Sequence, residues 1–100
     1  METRVAVISI IVDDENSTKS VNEYLHEYSD YIIGRMGVPY KKRGVRIISI
    51  AIDAEQDKIS TLSGKIGKLS GVSVKTAYSS LIFDNEWFIP DIKIQQKRGI

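Results

Sequence analysis

Two stretches of the chain, residues 4–12 and residues 45–53, carry apolar and largely β-branched side chains in both alternating registers. Successive side chains of a strand point to opposite faces of its sheet, so a strand with this pattern is covered on both faces. A single layer of helices covers only one face. We therefore predict two central strands in a sheet whose second face is buried by another surface.

The rest of the chain predicts a hairpin and a fourth strand. Residues 33–53 form the hairpin, in which a short first strand and a long second strand flank a turn over residues 38–44 that is rich in turn formers and charge. Residues 72–78 alternate apolar with polar side chains, which is typical of a strand with one wet face or a free edge.

Two helices are predicted from apolar residues that recur at helical spacing. The first begins near Ser17, after a run of short polar side chains that can cap it, and ends near Ser29 or Asp30. The second is stopped by Gly71. The inward stripes are Val21, Tyr24, Leu25 and Tyr28 in the first helix and Ile59, Leu62, Ile66 and Leu69 in the second.

The order β-α-β-β-α-β with short connections indicates a ferredoxin-like α+β fold. Right-handed crossovers place the first and third strands in the middle of a four-stranded antiparallel sheet, with both helices on one face. We predict that this domain spans residues 1–78. Residues 79–100 are interpreted as a partly docked C-terminal tail, or as an arm whose aromatic side chains contact a neighbouring subunit.

Composition argues against several classes of function. The 14 Lys and Arg residues against 13 Asp and Glu leave a net charge of +1, which gives no long-range attraction to nucleic acid or to an anionic membrane. The absence of cysteine excludes disulfides and thiolate metal ligands. No apolar run is long enough to span a bilayer and no segment resembles a signal peptide, so we expect a cytoplasmic protein without a membrane partner.

No set of residues has the pattern of a catalytic site, and no enzyme activity, cofactor or metal site is predicted. The only histidine, His26, points away from the apolar stripe of its helix and is interpreted as solvated. The alternative is a symmetric metal site between subunits that includes carboxylates such as Glu23 or Glu27.

Two charged clusters flank the predicted turns. The acidic residues 13–15 are interpreted as caps for the first helix, with contact to a cationic ligand as the alternative. The basic residues of the hairpin are interpreted as a solvated tip, with a nucleic-acid-binding surface as the alternative. They are Arg35, Lys41, Lys42, Arg43 and Arg46, with Tyr40 among them. Direct nucleic-acid binding is not expected, because the paired aromatic motifs of RNA-binding sheets and a helix-turn-helix pattern are missing.

Four segments together resemble the small proteins known as regulators of the iron-only hydrogenase system. They are RVAVISIIV in the first strand, VNEYLHEY in the first helix, GRMGVPYKKRGVRIISI in the hairpin and LSGKIGKLSGVSVKTA at the end of the domain. The resemblance covers residue 4 to about residue 77. It implies an ACT-like form of the ferredoxin-like fold, similar to the effector-binding domain of the nickel-responsive repressor, and assembly into oligomers.

From this resemblance we expect a non-catalytic, effector-sensing regulatory domain that binds a small-molecule effector, a protein partner or both. ACT-like domains place effectors where the first strand-to-helix turn of one subunit meets a neighbour. This implies a ligand site made by Asp13, Asp14, Asn16, Arg35 and Met36. The alternatives are a nucleic-acid-binding module that uses the basic hairpin, residues 35–46, and a small metal-responsive sensor.

The second face of the sheet is the predicted oligomer interface, because it would otherwise expose more contiguous apolar area than is usual for a soluble monomer. Ser9 and Ser49 are expected to be neighbours, and their small side chains would let a second sheet approach closely. Val7, Ile11 and Ile47 would then supply most of the association energy. A homodimer is the predicted minimum, and a tetramer forms if strand edges or the tail also make contacts.

Overall fold

The structure, a computed structural model, describes residues 2–84. Within this range the helices and strands are β1 (Glu2–Val12), α1 (Thr18–Glu27), β2 (Ile32–Tyr40), β3 (Val45–Ala54), α2 (Gln56–Gly67), β4 (Val72–Tyr78) and β5 (Phe83–Asp84). Short 3-10 turns at Glu15–Ser17, Ser29–Tyr31 and Lys41–Arg43 join some of them.

The main sheet is antiparallel and has the strand order β2-β3-β1-β4. The predicted βαββαβ fold, with the first and third strands in the middle, is therefore confirmed. The short strand β5 pairs with the beginning of β1, where Phe83 lies opposite Thr3. Residues 83 and 84 of the predicted tail therefore extend the sheet, and residues 85–100 lie outside the part of the chain that the structure describes.

The core lies between the two helices and one face of the sheet. Neighbouring strands present their apolar side chains to this face in matched rows, as where Ile8 of β1 lies opposite Ile50 of β3. The helices contribute the buried residues of their predicted stripes, so that both helices pack on the same face. The fully buried side chains include Ile8, Ile10, Val21, Leu25, Ile48, Ile50, Ile52, Ile59, Leu62 and Ile66.

The opposite face of the sheet, called the outer face below, carries no helix. The predicted neighbours Ser9 and Ser49 lie directly opposite each other in the centre of this face. Around them Val7 is 41% exposed, Ile11 46% and Ile47 37%. The predicted division of β1 and β3 into a buried face and an outer face is therefore confirmed.

The largest difference from the sequence prediction concerns the hairpin turn. Residues 38–40 were assigned to the turn, but they continue β2, where Val38 pairs with Ile47 and Tyr40 pairs with Val45. Pro39 is compatible with this arrangement because β2 is an edge strand, where a missing backbone donor is tolerated. The turn is restricted to the 3-10 segment Lys41–Arg43 and to Gly44, whose positive φ of 64° suits a glycine.

Candidate functional site

The end of the sheet at which β1 stops is built by backbone and side-chain hydrogen bonds around the acidic residues. The Asp13 amide donates to the Gly71 carbonyl over 2.8 Å, and the Asn16 amide donates to Oδ1 of Asp14 over 3.0 Å. Asp14 is the N-cap of the 3-10 turn that precedes α1. Asp14 therefore caps this 3-10 turn and not α1 itself, whose N-cap, Ser17, makes no side-chain capping hydrogen bond.

This acidic turn is tied to the loop between α2 and β4. The Ser17 side chain is buried, and its hydroxyl donates to the Ser70 carbonyl over 2.6 Å. Gly71 has a positive φ of 66°, and a Cβ atom at that position would come within 2.9 Å of the Asp14 amide nitrogen. The backbone at Gly71 therefore packs directly against Asp13 and Asp14 and holds this acidic turn in position.

The other two predicted ligand residues lie elsewhere in the same chain. Arg35 is level with Ile50 in the sheet and donates from Nη2 to Oδ1 of Asn22 on α1 over 2.5 Å. Met36 points to the outer face and is 56% exposed. From the register, Arg35 lies roughly 20 Å from Asp13, which is five residues along the strand and two strands across.

Within one chain, Asp13, Asp14 and Asn16 are therefore grouped, whereas Arg35 and Met36 stand apart on opposite faces of β2. Only a neighbouring subunit could bring the two groups together. That is the arrangement from which these residues were predicted, and the five-residue ligand site stays a prediction.

A cleft at the same end of the sheet was not predicted from the sequence. It has a volume of about 270 Å³ and lies between the start of α1 and the β2–β3 hairpin. Its charged lining comprises the carboxylate of Glu15 and the cationic side chains of Lys41 and Arg46. The rest is formed by Val12, Thr18, Pro39, Tyr40, Gly44 and Val45. We call this space the hairpin cleft.

The signal for the hairpin cleft lies in the strand register. Arg46 pairs with Val12 on one side and with Pro39 on the other, which brings the end of β1 and the end of β2 to the same level. The sequence places Glu15 in an acidic run and Lys41 in a basic hairpin. No local sequence pattern around Glu15 or Lys41 shows that these two residues line one cleft.

A wider and more open cleft continues along the exposed flank of α1. Its lining includes His26, Glu23 and Glu27, and Arg46 is shared with the hairpin cleft. His26 is exposed, as predicted. Glu27 forms an ion pair with Lys65 on α2, with 3.7 Å between the carboxylate oxygen and Nζ. Among residues 2–84, no group of three or more His, Cys, Asp or Glu side chains is arranged to hold a metal ion.

The outer face is apolar on one side and polar on the other. Rows that cross the sheet through Ile11 and Ser9 continue onto β2 as Val38 and Met36, whereas on β4 they continue as Ser73 and Lys75. The exposed apolar patch is therefore displaced toward the β2 edge. In the described part of the chain, no helix is long and apolar enough to cross a membrane.

Comparison with known proteins agrees with the fold. The chain is similar to the uncharacterized protein TM1266 of Thermotoga maritima, with 39% sequence identity, a TM-score of 0.73, and coverage of 76% of this chain and 96% of that one. It is also similar to the ACT domain of the GTP pyrophosphokinase of Chlorobium tepidum, with 25% identity, a TM-score of 0.54, and coverage of 79% and 89%. The sheet and helices thus have an ACT-like arrangement.

Curated relatives include a "Putative nickel-responsive regulator" of Saccharolobus solfataricus, which is 29% identical over 66 residues. That match covers 66% of this chain and 49% of the relative, so the chain spans about half the length of the curated relatives it matches. A family model matches residues 4–76, which is most of the chain. The chain therefore belongs to the TM1266-like family, described as "Iron-only hydrogenase system regulator, putative".

Proposed function

We propose that this protein is a non-catalytic regulatory domain of an iron-only hydrogenase system, which assembles into an oligomer and responds to a small effector. Its family and its ACT-like fold support a regulatory role. The observation that carries the proposal is the exposed apolar patch on the outer face.

The outer face has the character of an interface. Its exposed apolar side chains belong to three adjacent strands and form one contiguous patch that includes Val7, Ile11, Met36, Val38 and Ile47. Scattered apolar residues are normal on a protein surface, whereas a contiguous patch of this kind is typical of an interaction site. A second copy of the chain is the occupant that we propose.

One further feature fits a second sheet on this face. Ser9 and Ser49 form a row of small side chains between bulkier ones, so a partner sheet could interdigitate at the usual separation of about 10 Å.

In the proposed oligomer, the effector binds near the acidic turn. Asp13, Asp14 and Asn16 of one subunit contribute, and Arg35 and Met36 come from a neighbour. This arrangement makes effector binding sensitive to assembly, since each subunit holds only part of the set. A protein partner would bind the oligomer in its effector-bound form.

Sedimentation equilibrium of the wild-type protein at micromolar concentration tests the assembly. We expect a mass of at least two chains. A folded, soluble monomer over this concentration range would contradict the proposal.

Thermal-shift screening with small metabolites and divalent ions tests the effector, since a ligand at 100 times its Kd stabilises the folded state by about 2.7 kcal/mol.

The basic hairpin supports one alternative, a nucleic-acid-binding module. Lys41, Lys42 and Arg43 are exposed, and none makes an ion pair within the described chain. This function requires an affinity that falls steeply with salt concentration. Fluorescence anisotropy with labelled DNA and RNA at low salt distinguishes the two functions, because the effector-sensing domain should not bind either probe.

A further inference from the structure

The hairpin cleft combines three charged side chains that have no partners of their own. Neither the two cations, Lys41 and Arg46, nor the carboxylate of Glu15 makes a side-chain hydrogen bond or ion pair within residues 2–84. All three line the same cleft. Their charges are therefore available to a ligand.

The charge pattern of the cleft defines the chemistry of its complement. An arginine guanidinium binds a carboxylate through two parallel hydrogen bonds, and a lysine ammonium binds one as a point charge. A carboxylate on the opposite wall repels a third anionic group and accepts hydrogen bonds from an ammonium or a hydroxyl group. Two anionic groups and one donor match Arg46, Lys41 and Glu15 in number and in sign.

We propose that the hairpin cleft binds a small dicarboxylic acid that carries an amino or hydroxyl group. One carboxylate binds Arg46, the second binds Lys41, and the donor group faces Glu15. The Thr18 hydroxyl adds a donor or acceptor. This assigns a ligand class to a site that is distinct from the grouped residues Asp13, Asp14 and Asn16.

The size of the cleft suits a small ligand. Its volume of about 270 Å³ lies just below the range of about 300 to 1,000 Å³ that is usual for pockets that bind drug-sized ligands. Four-carbon dicarboxylic acids, with eight or nine non-hydrogen atoms, are smaller than such ligands.

The position of the hairpin cleft links ligand binding to the outer face. Tyr40 and Val45 line the cleft and also form the last paired row at this end of the β2–β3 hairpin. That row belongs to the outer face, next to the row of Val38 and Ile47. This second site goes beyond the proposed function and rests on it only for one consequence, namely that the ligand adjusts the surface on which subunits meet.

Isothermal titration calorimetry with L-aspartate, L-malate and succinate tests the proposal. These acids have the same carbon chain and both carboxylates, and they differ at one carbon by an ammonium, a hydroxyl or a hydrogen. We expect the full-length protein to bind L-aspartate and L-malate more tightly than succinate. Losing a hydrogen bond to a charged group costs about 1.5 to 3 kcal/mol, which corresponds to a factor of about 10 or more in Kd.

Three variants locate the site. Arg46→Gln should weaken binding of L-aspartate by about 10-fold or more. Glu15→Gln should remove most of the preference for L-aspartate over succinate. Lys42→Gln is the matched control, because Lys42 is an exposed cation of the same turn that does not line the cleft, and its Kd should be unchanged.

Each result decides a different point. If none of the three acids binds at concentrations up to about 10 mM, the ligand class is wrong. If Lys42→Gln weakens binding as much as Arg46→Gln, the acids bind to the basic tip through general charge and the cleft is not the site. Equal affinities for L-aspartate and succinate would refute the role of Glu15. The oligomer mass is measured separately, so a failure here leaves the proposed assembly standing, and a monomeric protein that binds L-aspartate would refute only the assembly.

Discussion

Gly71 is the residue at which backbone conformation and close packing coincide. Its φ of 66° lies in the left-handed region, which costs a residue with a Cβ atom about 1 to 2 kcal/mol. A Cβ atom there would also contact the Asp13 side chain and would lie 2.6 Å from Cβ of Asp14 and 2.9 Å from its amide nitrogen. The backbone cost would apply to alanine in any left-handed position, whereas the close contacts of the Cβ atom depend on how Asp13 and Asp14 pack against residue 71.

We therefore expect Gly71→Ala to lower the free energy of unfolding by about 3 kcal/mol or more, measured by urea denaturation, since strain and overpacking add. Gly44→Ala is the control. Gly44 has nearly the same φ, 64°, but no heavy atom lies within 4 Å of its added Cβ, so only the backbone cost applies. Equal destabilisation by the two substitutions would show that the contact with Asp13 and Asp14 is unimportant.

The two helices are joined at their surface by a lysine that lies near two tyrosine rings. Nζ of Lys65 on α2 lies 5.7 Å from the ring centres of Tyr24 and of Tyr28, and it also pairs with Glu27. Exposed cation–π contacts and exposed ion pairs each contribute up to about 1 kcal/mol. Since both Lys65 and Glu27 are about half exposed, the lower part of that range applies.

Lys65→Gln should therefore reduce the free energy of unfolding by about 1 kcal/mol, measured by chemical denaturation. Lys68→Gln removes an exposed lysine just beyond the end of α2 and should change stability little. A comparable loss in both variants would indicate a general effect of net charge and not the tyrosine contacts of Lys65.

The packing of α2 on β4 includes a hydroxyl pair, with 2.9 Å between the oxygens of Ser63 and Thr76. Removing one member leaves the other partly buried and unpaired, so Ser63→Ala should cost about 1 to 2 kcal/mol. The double variant Ser63→Ala with Thr76→Val should be less destabilised than the sum of the two single variants, by about 1 kcal/mol. Additive losses in a double-mutant cycle of denaturation curves would show that the two hydroxyls are not coupled.

In the proposed oligomer, the outer face is the surface on which subunits meet. Ile47→Glu places a charge in the proposed interface, where an unpaired buried charge costs about 3 to 5 kcal/mol. We expect a folded monomer, by circular dichroism and sedimentation, or at least about a 100-fold weaker association. Lys42→Glu, on the exposed turn, should leave the oligomer intact. An unchanged mass for Ile47→Glu would mean that this face is not the subunit contact.

The fold class, the two central strands and most of the core could be predicted from the sequence. Two local patterns indicate which face of an element is buried. One is the apolar alternation in β1 and β3, and the other is the helical spacing of Val21, Leu25, Ile59 and Leu62. The family resemblance through residues 4–76 is likewise written in the sequence. The turn at residues 38–44 was partly misassigned, because Pro and nearby charge favour turns and only the pairing of β2 with β3 overrides them.

Which distant side chains share a site could be seen only in the folded chain. The pairing of Arg46 with Val12 and Pro39 brings Glu15 and Lys41 to one cleft, and the turn at Gly71 fixes the acidic residues beside the loop after α2. The physical reason is that periodicity fixes the face of a residue within its own element, whereas cross-strand register depends on how all the elements pack together.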